Sequence, residues 1–311
     1  MKAQLGSGGS GTVYMAWHNR LRKHVVIKVI DNCSREAIAL HRNEVEALKN
    51  VKNIHIPQVL DFFIENRYSF TVMEHIEGTS FDKLLKVGSK FKEMQIIKWY
   101  AQLAYALKSI HERDICHRDI KPANIMLTTN ENVCLIDFNS ALVTSNRTGI
   151  ISRSMGYASP EQYEYFKLCR GAFTDYVHSD SDSAQTALMN DDCKTELVSA
   201  RNMSGSVFSV CNAPGATRLK NHCAERINWK QSDIYSLGAT MYHLLTGKRP
   251  PVKADEIEKI SKLGGYNERM LEIIEKSMRS DPTKRFGSAA ELRSELNELK
   301  YFSCEKEVNF I

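Results

Sequence analysis

The sequence predicts an α+β fold in two lobes, a small β-rich one followed by a larger helical one. Near residue 80 the hydrophobic pattern changes from alternation and short apolar runs to the longer repeat of amphipathic helices. The length of 311 residues, with 42% hydrophobic and 25% charged residues, allows about two domains around a full-sized core. A cleft is expected where the two patterns meet, near Glu74–Gly78.

The elements follow in order. Residues 5–17 are a glycine-rich turn running into an alternating, β-prone segment. His24–Ile30 is a short apolar run typical of a buried strand. Residues 35–50 place Ala37, Leu40, Val45 and Leu48 among charges, as an amphipathic helix does. Gln58–Ile64 and Tyr68–His75 read as strands. Phe81–Lys86 and Met94–Arg113 read as helices. Ile125–Thr128 and Val133–Ile136 return to strand character. Ser232–Thr246, Glu268–Arg279 and Ser288–Leu299 are the clearest later helices. Residues 164–227 are rich in Ser, Asn, Asp and Thr and are expected to be a mostly irregular insertion. The division expected is 1–75 for the first lobe, 76–301 for the second, and 302–311 for a short tail.

Composition narrows the class of function. The net charge of +5 comes without a basic run, so no nucleic-acid site is expected. No apolar stretch approaches the roughly 18 residues needed to cross a bilayer, and the first residues lack a signal-peptide core. A soluble, cytoplasmic chain is expected. Eight cysteines are scattered without a CxxC pair, which points to reduced thiols rather than zinc or disulfides.

Three groups of residues carry chemistry. Gly6, Gly8 and Gly11 match GxGxxG, a pattern shared by dinucleotide-binding turns and by phosphate-covering hairpins. Thr12-Val13-Tyr14 continues as strand, which favours a hairpin whose backbone N–H groups fold over phosphates; a ligand-free turn stays open. Lys28 stands in the apolar run Val25–Val29, where an unpaired ammonium would be costly. Glu44 on the next helix and nucleotide phosphates are its candidate partners. In His117–Asn124, Asp119 can orient a hydroxyl and take its proton, and Lys121 can neutralise a transferring phosphoryl group. Asn124 and Asp137 offer the oxygen ligands that suit Mg²⁺. A polar loop of capping residues is the alternative for any one of them, but not for the spaced set.

These motifs resemble the eukaryotic-like (Hanks-type) serine/threonine protein kinases, particularly bacterial ones, over nearly the whole chain. The resemblance implies a bilobal protein-kinase-like fold and transfer of the ATP γ-phosphate to Ser/Thr hydroxyls of protein substrates. Leu5, Gly6, Ser7, Gly8, Gly9, Ser10, Gly11 and Val13 are then the expected glycine-rich loop over ATP. Val26, Met73, Glu74, Ile76 and Met126 are the expected purine pocket, with gatekeeper and hinge at Met73–Ile76. Lys28 would hold the phosphates, braced by Glu44. Asp119, Lys121 and Asn124 would be catalytic, and Asn124 and Asp137 would bind Mg²⁺, with Mn²⁺ as an alternative ion. Ser159-Pro160-Glu161 is similar to the element that ends the family's activation segment. Asp233 is similar to its buried helical aspartate, and Arg285 falls where an arginine pairs with Glu161. Phe138 and Ser154 match a packing residue and a substrate-region contact.

Arg118 before Asp119 implies control by activation-segment phosphorylation, with Thr144, Ser145, Thr148 and Ser152 as candidates. The sequence departs from the family at Asn139 in place of a glycine, at Val26 in place of an alanine, and in the long interval between Glu161 and Asp233. With five residues ahead of Gly6, a short first strand is expected. Two rival functions stand beside this one: a scaffold without catalysis, and a small-molecule phosphotransferase.

Overall fold

The structure is a computed structural model. It describes residues 3–8, 11–31, 35–138, 142–143, 151–167, 195–198, 200–201, 207–208 and 227–308.

The first part is a five-stranded antiparallel sheet in the order β1-β2-β3-β5-β4. Its strands are β1 (Ala3–Gly8), β2 (Gly11–His18), β3 (Lys23–Asp31), β4 (Val59–Glu65) and β5 (Tyr68–Glu74), with α1 (Arg35–Lys49) between β3 and β4. Gly8 pairs with Gly11, so the glycine pattern closes a β-hairpin. It does not lead from strand to helix, which removes the dinucleotide-turn reading. Gly11 has φ 116°, and a Cβ there would lie 2.5 Å from the Val29 carbonyl oxygen. Any larger residue would push β2 off β3.

The second part begins with β6 (Gly78–Ser80) and α2 (Phe81–Lys86), followed by the long α3 (Glu93–His111) and β7 (Ile115–Cys116). β8 (Ile125–Thr128) and β9 (Val133–Leu135) form a small sheet in the order β6-β8-β9. Next come β10 (Leu142–Val143), which pairs with β7, and β11 (Ile151–Ser154). The later helices are α4 (Trp229–Thr246), α5 (Ala254–Ile257), α6 (Glu268–Ser277) and α7 (Ala289–Val308). The expected α+β order, β-rich then helical, is observed.

One hydrophobic core unites the helical part. α3 contributes Ile96, Trp99, Tyr100, Leu103 and Leu107, and α4 contributes Ile234, Leu237 and Met241. Ile273 and Ile274 of α6 and Leu292 and Leu296 of α7 close it. Gly238 lets α4 and α6 approach: a Cβ there would sit 2.6 Å from Ser277 Cβ. The segment after α1 ties the sheet to this body. Val51 and Ile56 enter the same core. The Leu135 N–H donates to the His55 carbonyl at 2.8 Å, and His55 Nδ1 donates to the Val133 carbonyl at 2.8 Å.

Two stretches hold more regular structure, among the described residues, than the composition indicates. Within 164–227, the described residues are partly regular. The helix over 160–167 runs into this stretch, and β12 (Thr195–Val198), β13 (Ala200–Arg201) and β14 (Val207–Phe208) lie inside it. β12 pairs antiparallel with β11, so the insertion returns to the body. At the other end, α7 runs to Val308, so residues 302–308 continue a helix that Glu and Lys favour after its apolar repeat fades.

α1 is held to the sheet by a half-buried imidazole. His41 Nδ1 lies 2.7 Å from Ser69 Oγ, and its Nε2 is 3.4 Å from Thr71 Oγ1. Burial, and then the nearby Lys28 charge, lowers its pKa to about 4. The unfolded chain takes up this proton near pH 6.5, whereas the folded chain refuses it until about 4. Stability therefore falls as pH drops through that window. Burial also lowers His55 and His243, with the same sign. In thermal melts across the window, His41→Gln is expected to reduce the slope of stability against pH; an unchanged slope contradicts this.

Candidate active site

The site is built around the loop between β7 and β8. Beneath it lies Asp233 of α4, fully buried. Its Oδ1 accepts from the Arg118 N–H at 2.7 Å. Its Oδ2 accepts from the His117 N–H at 2.8 Å and lies 2.9 Å from His111 Nε2. The loop needs this grip because Arg118 has φ 64°, a left-handed conformation unfavourable for a residue with a Cβ. The Arg118 guanidinium lies 4.8 Å from the Trp229 ring, and its carbonyl accepts from Gln162 Nε2 at 2.8 Å.

His117 joins the two halves of the loop. Its Nδ1 accepts the Asp119 N–H at 3.3 Å, so the ring proton sits on Nε2, which donates to the Ile136 carbonyl at 3.1 Å. The next residue, Asp137, is exposed and left-handed, with φ 65°. Phe138 packs over the His117 ring at 4.7 Å. Cys116 shares the pocket of His111 and Asp233. Burial, and then the Asp233 charge, pushes its thiol far above the usual range, so it remains protonated.

The Asp119 carboxylate is the hub above this base. Oδ1 accepts from Ser154 Oγ at 2.6 Å, and Oδ2 accepts from Lys121 Nζ at 2.9 Å. Lys121 also donates to Ser154 Oγ at 3.1 Å. Asn124 Nδ2 donates to the Asp119 carbonyl at 2.8 Å and to Oδ2 at 3.1 Å. These two bonds fix the amide orientation and leave Oδ1 as the side chain's oxygen donor.

A second anchor sits to the side. Arg285 donates through both Nη atoms to Glu161, at 2.6 and 2.9 Å. Its remaining N–H groups meet the carbonyls of Arg279, Gln231 and Ser280. All five donors are therefore satisfied, which is what allows a guanidinium to be buried. Ser159 Oγ bonds Ser232 Oγ at 2.8 Å, so the 159–162 segment is stitched to α4 as well.

In the sheet, the register places Lys28 opposite Val13 on β2 and Thr71 on β5, and Val26 opposite Met73. Lys28 is buried. Leu5 is 53% exposed on β1, beside Gly6, Ser7 and Gly8. Glu74 ends β5, and its N–H donates to the Gln58 carbonyl at 2.9 Å; Ile76 follows it. Met126 lies on β8, opposite Ser80 and Cys134. Gly9, Ser10, Asn139, Thr144, Ser145 and Thr148 lie outside the described residues, as do the side chains of Glu44 and Ser152. The sequence reading missed His111, Gln162 and Trp229, because nothing local marks a residue whose partner is over 40 positions away.

A family model described as the protein kinase domain matches residues 1–170. The chain belongs to the protein kinase family. Asp233 and Arg285 lie beyond the matched stretch, yet each bonds residues inside it, Asp233 the His117 and Arg118 N–H groups and Arg285 the Glu161 carboxylate. A protein named a probable serine/threonine-protein kinase in Clostridium acetobutylicum is 25% identical over 324 residues, covering 96% of this chain and 39% of that protein. Serine/threonine-protein kinase PknA of Corynebacterium glutamicum is 33% identical over 172 residues, covering 51% of this chain and 36% of its own. Serine/threonine-protein kinase Nek1 of Mus musculus is 35% identical over 165 residues, covering 51% and 14%. The chain thus spans less than half the length of each of these relatives. Among the described residues no helix of this kinase-family chain is long and apolar enough to cross a membrane.

Arg285→Ala would leave the Glu161 carboxylate without its cation in a largely buried setting. A loss of about 3–5 kcal/mol in unfolding free energy is expected from denaturant titration. A loss below about 1 kcal/mol, the range of exposed pairs, contradicts the anchor.

Proposed function

We propose that this chain is an ATP-dependent serine/threonine protein kinase that transfers the γ-phosphate of ATP to Ser/Thr hydroxyls of protein substrates. The observation that carries the reading is the Asp119 carboxylate, held at once by Lys121, Ser154 and Asn124. Phosphoryl transfer asks a protein mainly to position groups and neutralise charge. A carboxylate fixed in this way can orient an incoming hydroxyl and receive its proton. Lys121, which already bridges Asp119 and Ser154, is the cation for charge developing on the transferred group.

On this reading Lys28 holds the α- and β-phosphates, with Glu44 as its brace. The hairpin over residues 6–11 covers the phosphates. Val13 continues that loop over ATP, and Val26, Met73, Glu74, Ile76 and Met126 line the purine pocket. The oxygen donors of Asn124 and Asp137 fit a hard divalent cation, Mg²⁺ or Mn²⁺. Bound there, the ion would draw charge from the phosphates. Arg118, Phe138, Asp233 and the Glu161–Arg285 pair act as supports. Autophosphorylation at Thr144, Ser145, Thr148 or Ser152 belongs to the same reading. The lobes divide near residue 75, and the first lobe carries the phosphate-binding strands.

Incubation with labelled ATP, a divalent ion and a casein-type protein is expected to give phosphoserine or phosphothreonine. Asp119→Ala and Lys28→Met should each lower transfer by at least about 10²-fold with the circular-dichroism spectrum unchanged. Turnover at the wild-type rate in either variant, or transfer to sugars or aminoglycosides in preference to protein, contradicts the reading.

A further inference from the structure

β11 ends on Ser154, whose hydroxyl bonds Asp119, and β12 of the insertion runs antiparallel to it. The register is Ile151 with Val198, Ser152 with Leu197, Arg153 with Glu196, and Ser154 with Thr195. An extended peptide that must bring a hydroxyl to Asp119 gains backbone hydrogen bonds by adding to the strand that already ends there. This is the strand-addition mode of peptide recognition. β12 takes that edge from within the chain.

The register then selects one residue. Directly opposed residues of an antiparallel pair have Cα atoms about 4.5–5.5 Å apart and share one face of the sheet. By register Thr195 is therefore the residue of β12 paired with Ser154, whose hydroxyl reaches the carboxylate. Ser154 is itself committed, donating to Asp119 and accepting from Lys121. β12 reads Thr-Glu-Leu-Val, so Thr195 is its one hydroxyl.

We propose that β12 is an internal acceptor segment and that Thr195 is phosphorylated in cis. The inference rests on the kinase reading above. In the step, the Thr195 hydroxyl oxygen bonds to the γ-phosphorus of ATP. The bond from that phosphorus to the β–γ bridging oxygen breaks, ADP leaves with the electron pair, and the hydroxyl proton passes through Asp119 to solvent.

The test is a time course of the full chain with ATP, Mg²⁺ and a casein-type protein, with phosphosites mapped across a dilution series. The expected result is phosphate on Thr195 at an initial rate per molecule that does not change on dilution. Thr195→Val should lose this site while casein is still modified, and Thr195→Ser should carry phosphoserine at 195. Should the valine variant be inert toward casein, the serine variant decides. A Lys28→Met chain mixed with wild type should stay unmodified at 195. Phosphate on casein or within 140–154 but not on Thr195 overturns the proposal, as does a rate per molecule that falls in proportion to dilution. No transfer to casein or to the chain overturns the kinase reading and this inference together.

Discussion

Asp233 supports the rest of the site from beneath. A carboxylate buried without partners would be too costly to keep charged, and here both oxygens are engaged by two backbone N–H groups and a histidine. The left-handed backbone at Arg118 costs about 1–3 kcal/mol. Hydrogen bonds to a charged acceptor contribute about 1.5–3 kcal/mol each, so the two backbone bonds suffice to hold a turn the loop would not adopt alone. Asp119 is presented upward because Arg118 is turned, and Arg118 is turned because Asp233 is there.

The placement of Asp233 is in turn a matter of helix packing. α4 runs through the core, with Gly238 letting α6 close against it. Trp229 at its start lies against the Arg118 side chain, and Gln231 near the same end gives its carbonyl to Arg285. The same helix thus fixes the catalytic loop, the Ser159–Gln162 segment and the Glu161–Arg285 pair. Apolar burial sets where the helix lies, and the polar groups it carries inward set what the loops above it can do.

Much of this was legible in the sequence, for physical reasons that differ by element. α2 has the expected limits, Phe81–Lys86, because local signals mark both ends: Ser80, which bonds Asp82, and Gly88, with φ 75°. α4 begins earlier than the periodicity indicated because Asn228 caps it, its side chain accepting from the Gln231 N–H. The loop from His117 to Asn124 could be read because its chemistry is packed into eight consecutive positions. The partnership of β12 with β11 was hidden, since pairing across some 40 intervening residues leaves little trace in a four-residue strand. His111 read as one more residue near the end of an amphipathic helix; only the fold brings Asp233 to it.

The most direct test of the central constraint is a double-mutant cycle in unfolding free energy between Asp233→Asn and Arg118→Gly. If Asp233 acts by holding a strained turn, glycine at 118 removes much of the strain, and the asparagine substitution should be milder in that background by about 1 kcal/mol or more. Additive losses in the two backgrounds would show that the turn at Arg118 does not depend on the buried carboxylate, and the account would fail.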